Sequence, residues 1–69
     1  MKKICFAENL RLELKFCKIS QAYLAKQLNT TQRNVSRWTT GKTSPDFETL
    51  FLICEILNVT PNELLGWDD

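Results

Sequence analysis

With 69 residues, 43% of them apolar, and a net charge of +1, the chain has room for one small globular domain, residues 1–69, and none for a second. No apolar run approaches the ~20 residues that cross a membrane. Three cysteines without a CxxC pair and the lack of any histidine argue against a zinc site. The odd cysteine count and the absence of a secretory segment point to a reducing cytoplasm, with Cys17 and Cys54 as small core residues and Cys5 near the terminus.

In chain order, a first helix is predicted from about Ala7 to Cys17, because Phe6, Leu10, Leu14 and Cys17 recur at spacings of four, four and three on one face. Ile19 follows as a further core residue. Ser20 is suited to accept from the free amides of a second helix, about Gln21 to Leu28, with Leu24 and Leu28 on one side. Asn29 tolerates the left-handed conformation that ends helices, and Thr31 is the expected cap of a third helix, about 31–39. At 100° per residue Val35 and Trp38 fall on one side of that helix, while Gln32, Arg33, Ser36 and Arg37 cover the other. Ala25 is small enough to let the second and third helices cross at close range, opposite Val35. A fourth helix starts after Ser44-Pro45 with Asp46 as cap; Phe47, Leu50, Phe51, Cys54 and Leu57 are read as its core face, with Ile53 flanking. Thr60-Pro61-Asn62-Glu63 is a capping-box pattern opening a fifth helix that stops at Gly66.

The polar side of the third helix carries the chemistry. Arg donates two bonds to guanine O6 and N7, Gln pairs with adenine N6 and N7, and Ser serves several bases or a phosphate. Two short helices joined by a tight turn, the second presenting that set, suit a DNA major groove. On an isolated helix the same residues would read as an ordinary solvated face.

The run SQAYLAKQLNTTQRNVSRW, followed by TTGKTSPDFETLFLICEILNVTPNELLG, resembles the helix-turn-helix family of phage repressors and Cro proteins. The marks are Ser20-Gln21, Leu24-Ala25, Val35, Trp38 with Gly41, Pro45 before a helix, and the closing LNVTPNELLG. The likeness covers about Phe6 to Gly66. It implies an all-α, five-helix, lambda-repressor-like domain that binds operator DNA as a dimer, with Gln32, Arg33, Ser36 and Arg37 as base readers. It also implies that Gln21 binds phosphate and braces Gln32. Asn34, Lys42 and Thr43 flank the third helix and are further phosphate candidates, with loop N–H groups as possible additions.

Charge is segregated along the chain. All nine Lys and Arg lie in residues 1–43 with only Glu8 and Glu13, a net +7, while residues 44–69 hold six acidic groups and no basic one, a net −6. Such a dipole orients approach to a polyanion. Two features depart from the family. Many relatives pair an Arg on the first helix with a Glu after the Trp of the third; the matching positions are Leu14 and Thr39, so the pair is absent as a unit. Loss of both partners is physically coherent, because apolar packing often replaces an ion pair without loss of stability. The second departure is an apolar surplus: Leu52 and Ile56 are expected opposite the core face of the fourth helix. They are read either as a homodimer seam, with Trp67, or as a stripe partly covered by the fifth helix and the tail. Leu12 and Phe16, on the outer side of the first helix, either make another contact or pack under Met1–Cys5.

These features predict a sequence-specific, double-stranded-DNA-binding transcriptional regulator, most simply a repressor, acting as a cytoplasmic homodimer of bacterial or phage origin. No cofactor or metal is called for. If the chain is complete, regulation comes from concentration or a protein partner rather than a bound metabolite. The alternative is a protein-interaction module, such as an antitoxin or antirepressor-like partner, using Leu12, Phe16, Leu52 and Ile56. An enzyme is a distant third: there is no histidine, no phosphate-cradling glycine loop, and no nucleophile with a paired base.

Overall fold

Side-chain oxygens stand at the points where the chain turns into helix. Ser20 Oγ accepts from the Tyr23 amide at 3.0 Å, Thr31 Oγ1 from Asn34 at 3.2 Å and Asp46 Oδ1 from Thr49 at 2.9 Å. Thr60 Oγ1 accepts from the Glu63 amide at 3.2 Å while Glu63 Oε1 accepts from the Thr60 amide at 3.0 Å, closing the capping box. Each cap satisfies an amide that has no partner in its own helix. The computed structural model describes residues 6–66. They form α1 (Phe6–Cys17), α2 (Gln21–Gln27), α3 (Gln32–Thr39), α4 (Phe47–Leu57) and α5 (Pro61–Leu65).

The other ends close as uniformly. Lys18, Asn29, Gly41, Asn58 and Gly66 all have φ between +57° and +78°, one after each helix. In the first four turns the amide of the next residue reaches back five positions: Ile19 to the Leu14 carbonyl, Thr30 to Ala25, Lys42 to Arg37 and Val59 to Cys54. The hydrogen bonds to Asp46 and Glu63 also hold their carboxyls below the usual carboxylate range, the Thr49 side-chain and backbone bonds in one case and the Thr60 backbone and side-chain bonds in the other.

One side chain from every helix meets at the centre: Leu10, Leu24, Val35, Ile53 and Leu64 are each 0% exposed. Phe6, Leu14, Ala25, Trp38, Leu50, Cys54 and Leu57 surround them. Helix α1 packs on α3, α4 and α5, α2 packs on α3, and α4 packs on α5. Ala25 and Val35 are both buried between α2 and α3, as the close crossing requires. Cys54 is buried, which raises its thiol pKa, with the Glu63 charge adding to the effect; Cys17 is half-buried, its Sγ 3.8 Å from the Leu57 carbonyl.

The face of α4 is rotated from the one read in the sequence. Ile53 lies at the centre, not the flank, whereas Phe47 is 80% and Phe51 53% exposed. The packed residues are Leu50, Ile53, Cys54 and Leu57, and from the middle of that stripe Phe47 and Phe51 are turned by roughly 70° and 110° at 100° per residue. Ile56 is half-buried against the core rather than opposite it, and Leu52 is exposed. Leu12 and Phe16 also face outward, Phe16 at 84%. The readings placed on Cys5, Trp67 and a cover formed by Met1–Cys5 fall outside the described residues. No described helix is long and apolar enough to cross a membrane.

Candidate nucleic-acid interface

The polar side of α3 is open because its apolar side is fully engaged. Val35 and Trp38 are buried in the core, and Gln32, Arg33, Ser36 and Arg37 are all exposed. They occupy two successive turns of one helix, so four side chains with donors and acceptors project from a rigid element over about 7 Å of axis. The turn before α3 is fixed by Asn29 in the left-handed region and by the Thr30 amide bonded to the Ala25 carbonyl at 2.9 Å. That turn sets the angle at which α3 leaves α2.

The flanking residues divide into those with free ends and those already engaged. Asn34 is exposed, yet its Nδ2 donates to Thr30 Oγ1 at 2.9 Å, tying the first turn of α3 to the preceding loop. Lys42 and Thr43 are exposed beyond the C-terminal end of α3. Their backbone amides do not point outward as free donors: both bond the Arg37 carbonyl, at 3.0 and 3.4 Å. The N–H groups of Lys42 and Thr43 are therefore used to close α3, and what these two residues present is their side chains. Gly41 makes that closure possible at φ +78°; a Cβ there would meet Ala7 Cβ only at 3.7 Å, so the requirement is conformational rather than spatial.

Gln21 opens α2 and is half-buried. Its Nε2 donates to Thr39 Oγ1 at 3.4 Å, so the recorded bond runs to the far end of α3 and not to Gln32. Thr39 is the one buried polar residue among the described residues, 2% exposed. Its hydroxyl donates to the Ser36 carbonyl at 2.8 Å while accepting from Gln21, and its carbonyl accepts from Arg11 of α1. Three helices thus meet at Thr39. From the sequence Thr39 reads only as a position without the acid that many relatives carry, and Arg11 is not singled out. The available signal was a polar residue directly after Trp38 at a helix end, where carbonyls need partners.

The matching family model is that of the helix-turn-helix family, over residues 10–64. The chain is 31% identical over 68 residues to the HTH-type transcriptional regulator DicA of Escherichia coli (strain K12), which covers 99% of the chain and 50% of that protein; it therefore spans about half the length of this curated relative. A transcriptional regulator from Listeria innocua has a similar structure, with a TM-score of 0.90 and 30% identity over 97% of this chain and 63% of that one. The P22 c2 repressor, solved in complex with synthetic operator 9T, matches with a TM-score of 0.83 and 32% identity over 91% of this chain and 96% of its own.

Proposed function

The chain belongs to the helix-turn-helix family, and from that premise we propose that it is a sequence-specific DNA-binding transcriptional regulator, most simply a repressor, that reads the major groove with α3. The observation that carries this reading is the exposed row Gln32, Arg33, Ser36 and Arg37 on a helix whose other side is locked into the core. The operator complex of the P22 c2 repressor and the regulator description of the Escherichia coli relative support it. In this reading the four residues contact base edges, and Gln21, Asn34, Lys42 and Thr43 hold phosphates. Asn34 does so with the rotation of its amide fixed by Thr30.

The domain acts as a homodimer in the cytoplasm, placing two copies of α3 about 34 Å apart on half-sites one turn of DNA apart. The dimer contact proposed from sequence is Leu52, Ile56 and Trp67. Leu52 remains available for it, Ile56 contributes only its half-buried edge, and exposed Phe47 and Phe51 enlarge the apolar area on α4.

The direct test replaces the α3 row with alanine, one residue at a time and all four together, and measures binding to an operator selected by the wild-type chain and to random duplex. Loss of operator preference with folding intact supports the reading. Unchanged preference in the fourfold variant contradicts it.

A further inference from the structure

We propose that Arg11, on α1, is a positioning residue for the recognition helix, holding the C-terminal end of α3 through the Thr39 carbonyl. This rests on the reading of α3 as the base-reading element, and it names a residue outside that element that governs how well α3 discriminates.

The argument starts from the carbonyls at the end of a helix. The last four have no partner within the helix and must find one elsewhere. Here the Ser36 carbonyl takes the Thr40 amide and the Thr39 hydroxyl, the Arg37 carbonyl takes the Lys42 and Thr43 amides, and the Trp38 carbonyl takes the Gly41 amide. For the Thr39 carbonyl the recorded donor is the Arg11 guanidinium, 28 residues away in sequence. The residue bearing that carbonyl is buried, so water is a poor substitute. A cation at the C-terminal end of a helix is also favoured by the helix dipole. Leu14, one turn further along α1, is packed in the core and offers no donor.

The bond is one side of a node. Thr39 Oγ1 links Gln21 of α2 to the Ser36 carbonyl of α3, and the Thr39 carbonyl links α3 to α1. Removing Arg11 takes away the hydrogen bond from α1 to the last turn of α3 while leaving the core packing of Trp38 and the N-terminal cap at Thr31 intact. Ser36 and Arg37 lie on the turn that loses this bond. Discrimination by these residues requires that their side chains meet base edges within hydrogen-bond geometry, whereas general attraction to phosphate does not. Arg11 therefore acts on the ratio of specific to random binding.

The test compares Arg11→Met, which keeps an apolar stem and has no donor, with Arg11→Lys, which restores a charged donor. Amide hydrogen exchange at Thr40, Gly41 and Lys42 is measured without DNA, and affinity for selected operator and random duplex is measured at several salt concentrations. Expected for Arg11→Met are faster exchange at those three amides and a drop of about tenfold in the operator-to-random ratio, both restored at least in part by Arg11→Lys. If both affinities fall equally and both salt slopes flatten by about one, Arg11 is a phosphate contact and the proposal is overturned. Unchanged exchange together with an unchanged ratio overturns it equally. Should the wild-type chain select no operator, the reading of α3 fails by itself; the exchange arm then still decides, faster exchange upholding the hold on α3 and unchanged exchange refuting it. If Arg11→Met does not fold, Arg11→Gln, which keeps a neutral donor, is assayed for the same exchange and ratio.

Discussion

At the scale of single residues, position on a helix decides role. Arg33 is exposed on α3 and Lys42 lies beyond the end of that helix, so the same kind of truncation should have different consequences. Arg33→Ala is expected to weaken operator binding by about 1–3 kcal/mol and relax preference at one base pair, while Lys42→Ala weakens all duplexes and reduces the salt slope by about one. Titrations on operator and random DNA distinguish them; equal losses on both for Arg33→Ala would remove it from the base readers. Within the core, Ile53→Ala should cost about 2–5 kcal/mol in a denaturant melt, whereas Phe47→Ser should change stability by less than about 0.5 kcal/mol despite removing the larger side chain. That contrast marks where the sequence was least legible. Five apolar residues crowd the first turns of α4, so periodicity admits two overlapping faces, and only packing against α1 and α5 selects the one containing Ile53. Thr39 and Arg11 were hidden for a different reason, since their link joins positions 28 apart and leaves no local pattern.

At the scale of elements, the helices were legible because their ends carry chemistry as well as hydrophobic spacing. Ser20, Thr31, Asp46 and Thr60 all cap as the sequence indicates, and Asn29 adopts the left-handed turn assigned to it. Lys18 takes the same conformation without a side chain that favours it, and nothing local announces this. The closure after α3 should be sensitive: Gly41→Ala forces a Cβ into φ +78° and is expected to cost about 1–2 kcal/mol, read as a lower denaturation midpoint with unchanged slope. The caps also set an acid limit. Asp46 and Glu63 have folded pKa values lowered by their hydrogen bonds, so their contribution is complete above the unfolded carboxylate range and is lost as pH falls through the folded values, below about pH 4. An Asp46→Asn, Glu63→Gln double variant keeps the acceptors without the charge. Its melting temperature should fall less than that of the wild type between pH 6 and pH 3, and parallel curves would show that other groups control the acid limb.

For the whole molecule, the net charge of +1 conceals the property that matters. Seven of the nine basic residues belong to the part of the chain that builds α1 to α3 and the loop after it, with Lys2 and Lys3 preceding α1, and the acidic surplus belongs to residues 44–69. In the proposed DNA-binding reading, attraction to phosphate favours encounter through α1 to α3, and like-charge repulsion disfavours approach through α4 and α5. The exposed apolar residues of α4 lie in the acidic part of the chain, outside the segment that carries α3. The fold and the exposed polar side of α3 were readable from one sequence because both depend on short-range spacing; the proposed dimer seam is not, because it depends on a surface with no partner in the same chain. In-vitro selection from random duplex DNA at two salt concentrations tests the account most directly. An enriched near-palindrome with half-sites one helical turn apart is predicted, and binding that is weak, salt-sensitive and without sequence enrichment would contradict it.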